Sequence, residues 1–228
     1  MADARLAVHA WPDGLAQALA DLRSGAGMTV LSVPTPLTAR RPDARHAIRQ
    51  AVQHTLATFL DCPAASVALL SCPGRATQVA APSAGAVHLS ISHLPGLSVA
   101  AISLRGAVGV DVMAVDMQSL PDAADVAHDY LGPLLAQALL QTAPNHRPTA
   151  FAHAWTALEA RLKCLGLGLT EWTPGLAARL QQCTVVSLAL PVSSCGALAF
   201  QPAAKEPCIV WPGWPLTPPA GSDGTRFR

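Results

Sequence analysis

The chain has 228 residues, of which 51% are apolar, and its mean hydropathy is +0.33, a value raised largely by alanine. The longest uncharged stretch, residues 180–204, is interrupted by glutamines, serines, a proline and a glycine. It therefore predicts two strands around a turn rather than a membrane span of about 20 apolar residues. Fifteen basic and 14 acidic residues leave a net charge of +1, which gives no basis for non-specific binding of nucleic acid. We expect neither a membrane nor a nucleic acid as a partner.

The amino terminus and the cysteines indicate a reducing compartment. The first 14 residues, MADARLAVHAWPDG, lack the apolar run of a secretory signal, which predicts a cytoplasmic protein. The six cysteines are scattered without a CxxC spacing, so we interpret them as reduced and mostly buried thiols. The length fits one globular body, and two half-sized lobes that share an interface are one way to build it.

The first predicted helix begins near Asp43, which could cap its amino end after the proline-punctuated residues 34–42. Apolar residues then recur at helical spacing, and Arg45 and Arg49 lie off that stripe. The stripe consists of Ala47, Ile48, Ala51, Val52, Thr55, Leu56 and Phe59.

Alternating residues predict strands in the middle of the chain. Residues 86–93 alternate cleanly and form a predicted half-buried strand that ends at His93, before a turn at Pro95-Gly96. The apolar run 97–104 leads through Arg105-Gly106 into 107–113, which predicts two adjacent strands joined by a tight turn.

A helix is predicted for about 149–166, with Pro148 before it and Gly166 at its carboxyl end. Its apolar stripe consists of Phe151, Trp155, Leu158, Leu162 and Leu165. Residues 184–190 and 196–200 are predicted short strands, and 211–228 a poorly ordered tail. The fold class is therefore α/β (α+β), with antiparallel hairpins favoured over a doubly wound sheet.

Three polar features within these elements could carry chemistry, and each also has an ordinary explanation. Asp111 lies in a valine-rich strand, where an acid usually faces solvent on an edge. Glu159 and Lys163 are four residues apart, the spacing of a common surface ion pair. Ser92-His93 could be a plain strand end followed by a turn.

Taken in order, these features resemble the 4'-phosphopantetheinyl transferases, specifically the larger type that activates peptide synthetases such as the surfactin enzyme. That family has a strand ending in Ser-His, then G-[IV]-D-[IV]-E, then W-x-x-K-E-x-x-x-K-x-x-G-x-G-L. This chain has HLSISH at 88–93, GVDVM at 109–113 and WTALEARLKCLGLGL at 155–169. Gly74-Arg75 occupies the place of a family Gly-Lys-Pro segment, and the helix with Arg45 matches a basic helix of the family.

The resemblance covers roughly residues 40–200 and differs from the pattern at two positions. Met113 stands where the family has a second acid, and Leu158 replaces the lysine before Glu159. A thioether is a poor magnesium ligand, so either water completes the coordination shell there or the affinity for the ion is reduced. Leu158 falls on the apolar stripe of its helix and is expected in the core.

The resemblance implies a pseudo-dimer of two similar α/β lobes, residues 1–105 and 106–210, followed by the tail, with coenzyme A in the cleft between them. Asp111 and Glu159 would hold Mg²⁺, and a serine of an apo acyl or peptidyl carrier protein would attack coenzyme A and release 3',5'-ADP. Glu159 can also accept the serine proton, and Lys163 can reach the same phosphates. The remaining expected coenzyme A contacts are Arg45, Arg75, Ser92 and His93.

A monomer is expected, because both lobes belong to one chain. The alternative is a non-catalytic protein of the same fold that binds coenzyme A or a carrier protein. Met113 and Leu158, the two departures from the family pattern, are the reason to consider it. Fatty-acid, polyketide and peptide-synthetase carrier proteins are all compatible with these residues.

Overall fold

A computed structural model describes residues 5–71, 77–82, 85–115, 123–191 and 193–202. The helices are α1 (Leu15–Arg23), α2 (Arg41–Leu60), α3 (Ala123–Val126), α4 (Pro133–Gln141), α5 (Arg147–Cys164) and α6 (Pro174–Leu180). A 3-10 turn spans Ala64–Ser66, and one π-helical turn spans Ala127–Leu131. The strands are β1 (His9–Ala10), β2 (Met28–Pro34), β3 (Ala68–Leu70), β4 (Gln78–Ala80), β5 (His88–Leu94), β6 (Leu97–Ser103), β7 (Val108–Ala114), β8 (Thr184–Ser187) and β9 (Ser194–Phe200).

The strands form two sheets, so the fold is mixed α/β. The first sheet has the order β1-β2-β6-β5-β4-β3, and the second has the order β7-β9-β8. Only the short pairing of β1 with β2 is parallel within these sheets, and the other ladders are antiparallel. None of the described helices combines the length and the apolar character that crossing a bilayer requires.

The order of layers is helix, sheet, sheet, helix, and alternation along the strands explains it. Leu31 and Ile102 pack under α2, whereas their neighbours Val30 and Ala101 pack against valines of the second sheet. On the outer face of the second sheet, α5 lies against β7 and β9. Glycine at position 109 permits this approach, because a Cβ there would lie 2.5 Å from the backbone nitrogen of Cys164 and closer still to the carbonyl oxygen of Ala160.

Part of the first sheet has the topology of the second. In the first, β2 is followed by α2, by the short strands β3 and β4, and then by β5 and β6; the strands β2, β6 and β5 are neighbours in that order. In the second, β7 is followed by α5 and then by β8 and β9, which pair in the order β7-β9-β8. In each case the helix packs on the first and last strands. Whether the chain divides into two lobes at residue 105 stays a prediction.

The predicted hairpin between 97–104 and 107–113 is wrong. β6 pairs with β2 and β5, whereas β7 pairs with β9 in the other sheet. Apolar side chains of β6 and β7 pack against each other between the two sheets, so the connection at residues 104–107 crosses from one sheet to the next. The hairpin instead joins β5 to β6 at Pro95-Gly96, where Gly96 has φ +87°.

The two helices predicted from the sequence correspond to α2 and α5, although their first residues differ from the prediction. Asp43 is not the N-cap of α2, because the helix begins at Arg41 with Pro42 in its first turn. Pro148 similarly lies within the first turn of α5, where a proline sacrifices no hydrogen bond. The carboxyl end of α5 is followed by Gly166 at φ +65°, as predicted. The predicted tail at 211–228 lies outside the described residues.

Candidate active site

A cavity of about 960 Å³ lies between the two sheets and their helices. Residues of α2 and β5, on the side of the first sheet, and of β7 and α5, on the side of the second, line it. Its charged and polar lining includes Arg41, Arg45, Arg49, Ser92, His93, Asp111, Glu159 and Lys163. Six of these residues were predicted from the sequence, and the structure brings them to one cavity although they are up to 118 positions apart (163 − 45). Arg75, the seventh predicted residue, lies outside the described residues.

Asp111 is buried at the edge of the second sheet, with 8% of its surface exposed. Its Oδ1 accepts a hydrogen bond from the Ser92 hydroxyl at 2.8 Å and another from the Lys163 ammonium at 2.7 Å. The alternative of a solvent-facing acid is therefore wrong. Neighbouring Val110 and Val112 face the first sheet, so strand alternation directs the aspartate to the side of α5.

Lys163 reaches from α5 to β7. Besides its bond to Asp111, its Nζ donates to the carbonyl oxygen of Val110 at 3.1 Å. Among the described residues, the salt bridge of Lys163 is with Asp111 and not with Glu159, so the alternative of a surface pair at i and i+4 is wrong. The lysine is held over the strand that carries the acid, in a position to meet anionic groups in the cavity.

Glu159 lies one turn before Lys163 and is half-buried. Burial raises the pKa of its carboxyl, and the charge of Asp111 raises it further, while Lys163 acts in the opposite direction. The two carboxylates are thus close enough to repel each other. A cation between them would relieve that repulsion, because it compensates both charges at once.

The carboxylates of Asp111 and Glu159 suit a hard divalent cation only if other oxygen ligands complete its coordination. Within the described ranges, no three His, Cys, Asp or Glu side chains are grouped to hold a metal ion. Two carboxylates are nevertheless a common protein contribution to Mg²⁺, which takes its remaining oxygens from water and substrate phosphates. Asp111 and Glu159 therefore fit the protein contribution to a Mg²⁺ site, and they would hold the ion if it binds here.

His93 enters the cavity at the end of β5 and is neutral at pH 7. Burial, with the charges of Arg45, Arg41 and Lys163, lowers its pKa to about 4. Its Nδ1 lies 2.8 Å from the hydroxyl of the buried Ser98, which fixes the ring. An arriving phosphate would add negative charge here and favour the protonated ring.

Three arginines line the cavity from one face of α2, because they are spaced four residues apart. Arg49 is held by the edge of the first sheet: its guanidinium donates to the carbonyl oxygen of Leu69 and to the Ser71 hydroxyl. Arg41 and Arg49 were not predicted as site residues. Their spacing of four residues on either side of Arg45 was the signal that could have identified them.

The two departures from the family pattern have different surroundings. Met113 lines the cavity as Asp111 does and packs against the cluster that contains Trp155. Leu158 is 5% exposed within that cluster, so its prediction as a core residue is confirmed. The leucine contributes packing of α5, whereas the methionine is an apolar part of the cavity wall.

Residues 107–193 match the family model of the 4'-phosphopantetheinyl transferase superfamily. The matched segment contains Asp111, Glu159 and Lys163, and it begins after Arg45, Ser92 and His93. No curated protein matches the chain. The match supports transferase chemistry of this general type for the segment that supplies the acids.

Proposed function

We propose that this protein transfers the 4'-phosphopantetheine group of coenzyme A to a serine of an apo acyl or peptidyl carrier protein. The reaction would depend on Mg²⁺ and release 3',5'-ADP, as in the larger, surfactin-synthetase-activating type of the family. The observation that carries the proposal is the cavity in which Asp111, Glu159 and Lys163 of the matched segment meet Arg45 and His93 from outside it.

Coenzyme A would bind through its negative charges. It brings a pyrophosphate and a 3'-phosphate, and the cationic side of the cavity offers Arg41 and Arg45 from α2. Guanidinium groups suit phosphate because they donate two parallel hydrogen bonds. His93 would add a ring nitrogen to the same set, and Arg75 remains a predicted contact.

Asp111 and Glu159 would hold Mg²⁺, and when bound the ion supplies neutralisation of the pyrophosphate charge. Lys163 holds the Asp111 carboxylate at 2.7 Å and adds a positive charge on the same side of the cavity. Because transfer of this kind depends mainly on positioning and electrostatics, these fixed charges are the chief contribution of the chain.

The carrier serine oxygen would attack the β-phosphorus of coenzyme A. A new phosphorus–oxygen ester bond forms, the bond to the bridging pyrophosphate oxygen breaks, and 3',5'-ADP leaves with the electron pair. Glu159 would accept the serine proton, since its carboxylate lines the cavity in which the reacting groups would meet. Lys163 offsets negative charge on the departing phosphate.

The direct test is incubation of the protein with coenzyme A, Mg²⁺ and a panel of apo carrier proteins, followed by mass spectrometry of the carriers. We expect at least one carrier to gain the mass of one phosphopantetheine group, and EDTA to prevent the gain. Carriers in which the target serine is replaced by alanine are the control. Persistent apo protein across fatty-acid, polyketide and peptide-synthetase carriers would contradict the proposal.

A non-catalytic protein that binds coenzyme A or a carrier is the second candidate, and Met113 is the observation that favours it. The residue lines the cavity but offers a soft thioether in place of an acid. This candidate predicts measurable coenzyme A binding together with unmodified carriers in the same incubation.

Replacing Met113 by glutamate should preserve transfer and strengthen the apparent affinity for Mg²⁺ by up to about tenfold, since it adds an oxygen ligand beside Asp111. The Mg²⁺ dependence of the transfer rate measures this. Met113→Gln is the matched control, because it has a similar shape without the charge. A large loss of activity in Met113→Glu alone would show that the apolar wall has another role.

The two-lobe organisation, with lobes 1–105 and 106–210, is part of this proposal. The likeness between β2, α2, β5 and β6 of the first sheet and β7, α5, β8 and β9 of the second supports it, because the strands pair in corresponding orders. A cytoplasmic, monomeric enzyme remains the expectation.

A further inference from the structure

Ser92 makes contacts that its predicted role as a coenzyme A ligand does not require. It lies on β5 of the first sheet and is 7% exposed. Its hydroxyl donates to Asp111 Oδ1 at 2.8 Å and accepts the backbone N–H of Val112 at 3.3 Å. Both partners belong to β7 of the second sheet, so the side chain joins the two sheets beside the cavity.

The donor count of a hydroxyl decides what Ser92 can do. A serine can donate one hydrogen bond through its O–H group, and here it donates that bond to the Asp111 carboxylate. A phosphate oxygen offers acceptors and needs donors, so the hydroxyl could serve a phosphate only by releasing Asp111. Releasing it would leave a buried carboxylate with one fewer hydrogen bond, which is unfavourable.

Ser92 and Lys163 both bond to the same oxygen of Asp111, Oδ1. Two donors from different elements restrict rotation of the carboxylate plane. They also concentrate hydrogen bonding on one oxygen, and within the described part of the chain Oδ2 has no such partner. The arrangement holds one oxygen with protein donors and keeps the other for a ligand.

We propose that Ser92 is a positioning residue, which orients the Asp111 carboxylate for the cation and does not bind coenzyme A itself. This inference rests on the proposed function, since it concerns the same site. Outer-shell partners of this kind typically change metal affinity by about 10- to 100-fold when they are removed.

Ser90 provides a matched control from the same strand. It lies two residues earlier on the same face of β5, and its hydroxyl accepts the backbone N–H of Val110 at 3.0 Å. It therefore shares the contact between the sheets, but its hydrogen bond is to the backbone and not to the carboxylate. Ser90→Ala tests the structural contribution of such a hydroxyl separately from the orientation of Asp111.

The experiment measures binding by calorimetry with the full chain. Coenzyme A is titrated in EDTA, and Mg²⁺ is titrated into the protein saturated with coenzyme A. We expect Ser92→Ala to weaken Mg²⁺ binding at least about tenfold while coenzyme A binding in EDTA stays within about twofold. Ser92→Thr, which keeps the hydroxyl, should restore Mg²⁺ binding, and Ser90→Ala should leave it unchanged.

Three results would overturn the positioning role. They are loss of coenzyme A binding in EDTA by Ser92→Ala, equal effects of Ser90→Ala and Ser92→Ala on Mg²⁺, and absence of Mg²⁺ binding by the unaltered protein. If Ser92→Ala fails to fold, failure of the folded Ser92→Thr variant to bind Mg²⁺ like the unaltered protein would likewise contradict it. These binding measurements do not require the transfer reaction. If Mg²⁺ and coenzyme A bind as expected but no carrier protein is modified, the proposed function is contradicted while the positioning role of Ser92 is supported.

Discussion

Replacing Asp111 by asparagine should reduce phosphopantetheine transfer by about a thousandfold or more, because the change removes a charge where the cation and Lys163 both need one. The amide keeps the shape of the side chain, so the loss would be electrostatic. Lys163 would also lose its ion-pair partner, which is 2.7 Å away. Initial rates of carrier modification at saturating Mg²⁺ measure the effect, and Asp111→Ala should abolish transfer as well.

The control for Asp111→Asn is Asp125→Asn, which removes an exposed acid from α3 and should leave the rate unchanged. Circular dichroism of both variants checks that the fold persists. Retention of more than about a tenth of the activity by folded Asp111→Asn would exclude the aspartate as a cation ligand essential to the reaction.

Replacing Gly109 by alanine should lower the free energy of unfolding by about 3 kcal/mol or more. The added methyl group would collide with backbone atoms of α5, the carbonyl of Ala160 and the nitrogen of Cys164. Backbone atoms cannot rotate away as a side chain can, so α5 would have to move off β7. Urea denaturation measures the change, and transfer should fall with it because α5 carries Glu159 and Lys163.

Gly106→Ala is the control, since a Cβ at that position meets no atom of the described residues within 4 Å. It should change the free energy of unfolding by less than about 0.5 kcal/mol. A Gly109→Ala variant within about 1 kcal/mol of the unaltered protein would mean that the contact between α5 and β7 is looser than the structure shows.

The parts of the site that sequence reasoning predicted well depend on local periodicity. The stripe through Phe151, Leu158 and Leu162 determines which face of α5 is buried, and the position of Glu159 and Lys163 at its edge follows from the helix repeat. The resemblance then supplied the association of that edge with Asp111. Asp111, Glu159 and Lys163 all line the cavity in the structure.

What could not be predicted depends on contacts between distant segments. Alternation tells which side chains share a face of a strand but not which strand is its neighbour, so β6 and β7 were joined into a hairpin that does not exist. The serines of β5 were expected on the polar side of a half-buried strand, yet Ser90 and Ser92 are buried. They are tolerated there because they accept backbone N–H groups of β7.

The salt-bridge partner of Lys163 likewise could not be predicted from the sequence of its own helix. Within one helix, Glu159 is the nearest carboxylate in sequence, but Asp111 is 52 positions away and takes the bond. A strand edge that brings a carboxylate and the carbonyl of Val110 together offers the lysine two acceptors at once. Such a pair of acceptors is visible only after β7 and α5 are packed.

The arginines of the cavity come from residues before the link at 104–107, and the two acids come from residues after it. Groups of opposite charge that face each other across a cavity are often supplied by separate subunits, and they then part on dilution. Here the arginines and the acids belong to the same polypeptide, so they cannot separate on dilution. Activity per molecule should therefore not depend on the association of separate subunits to bring these groups together.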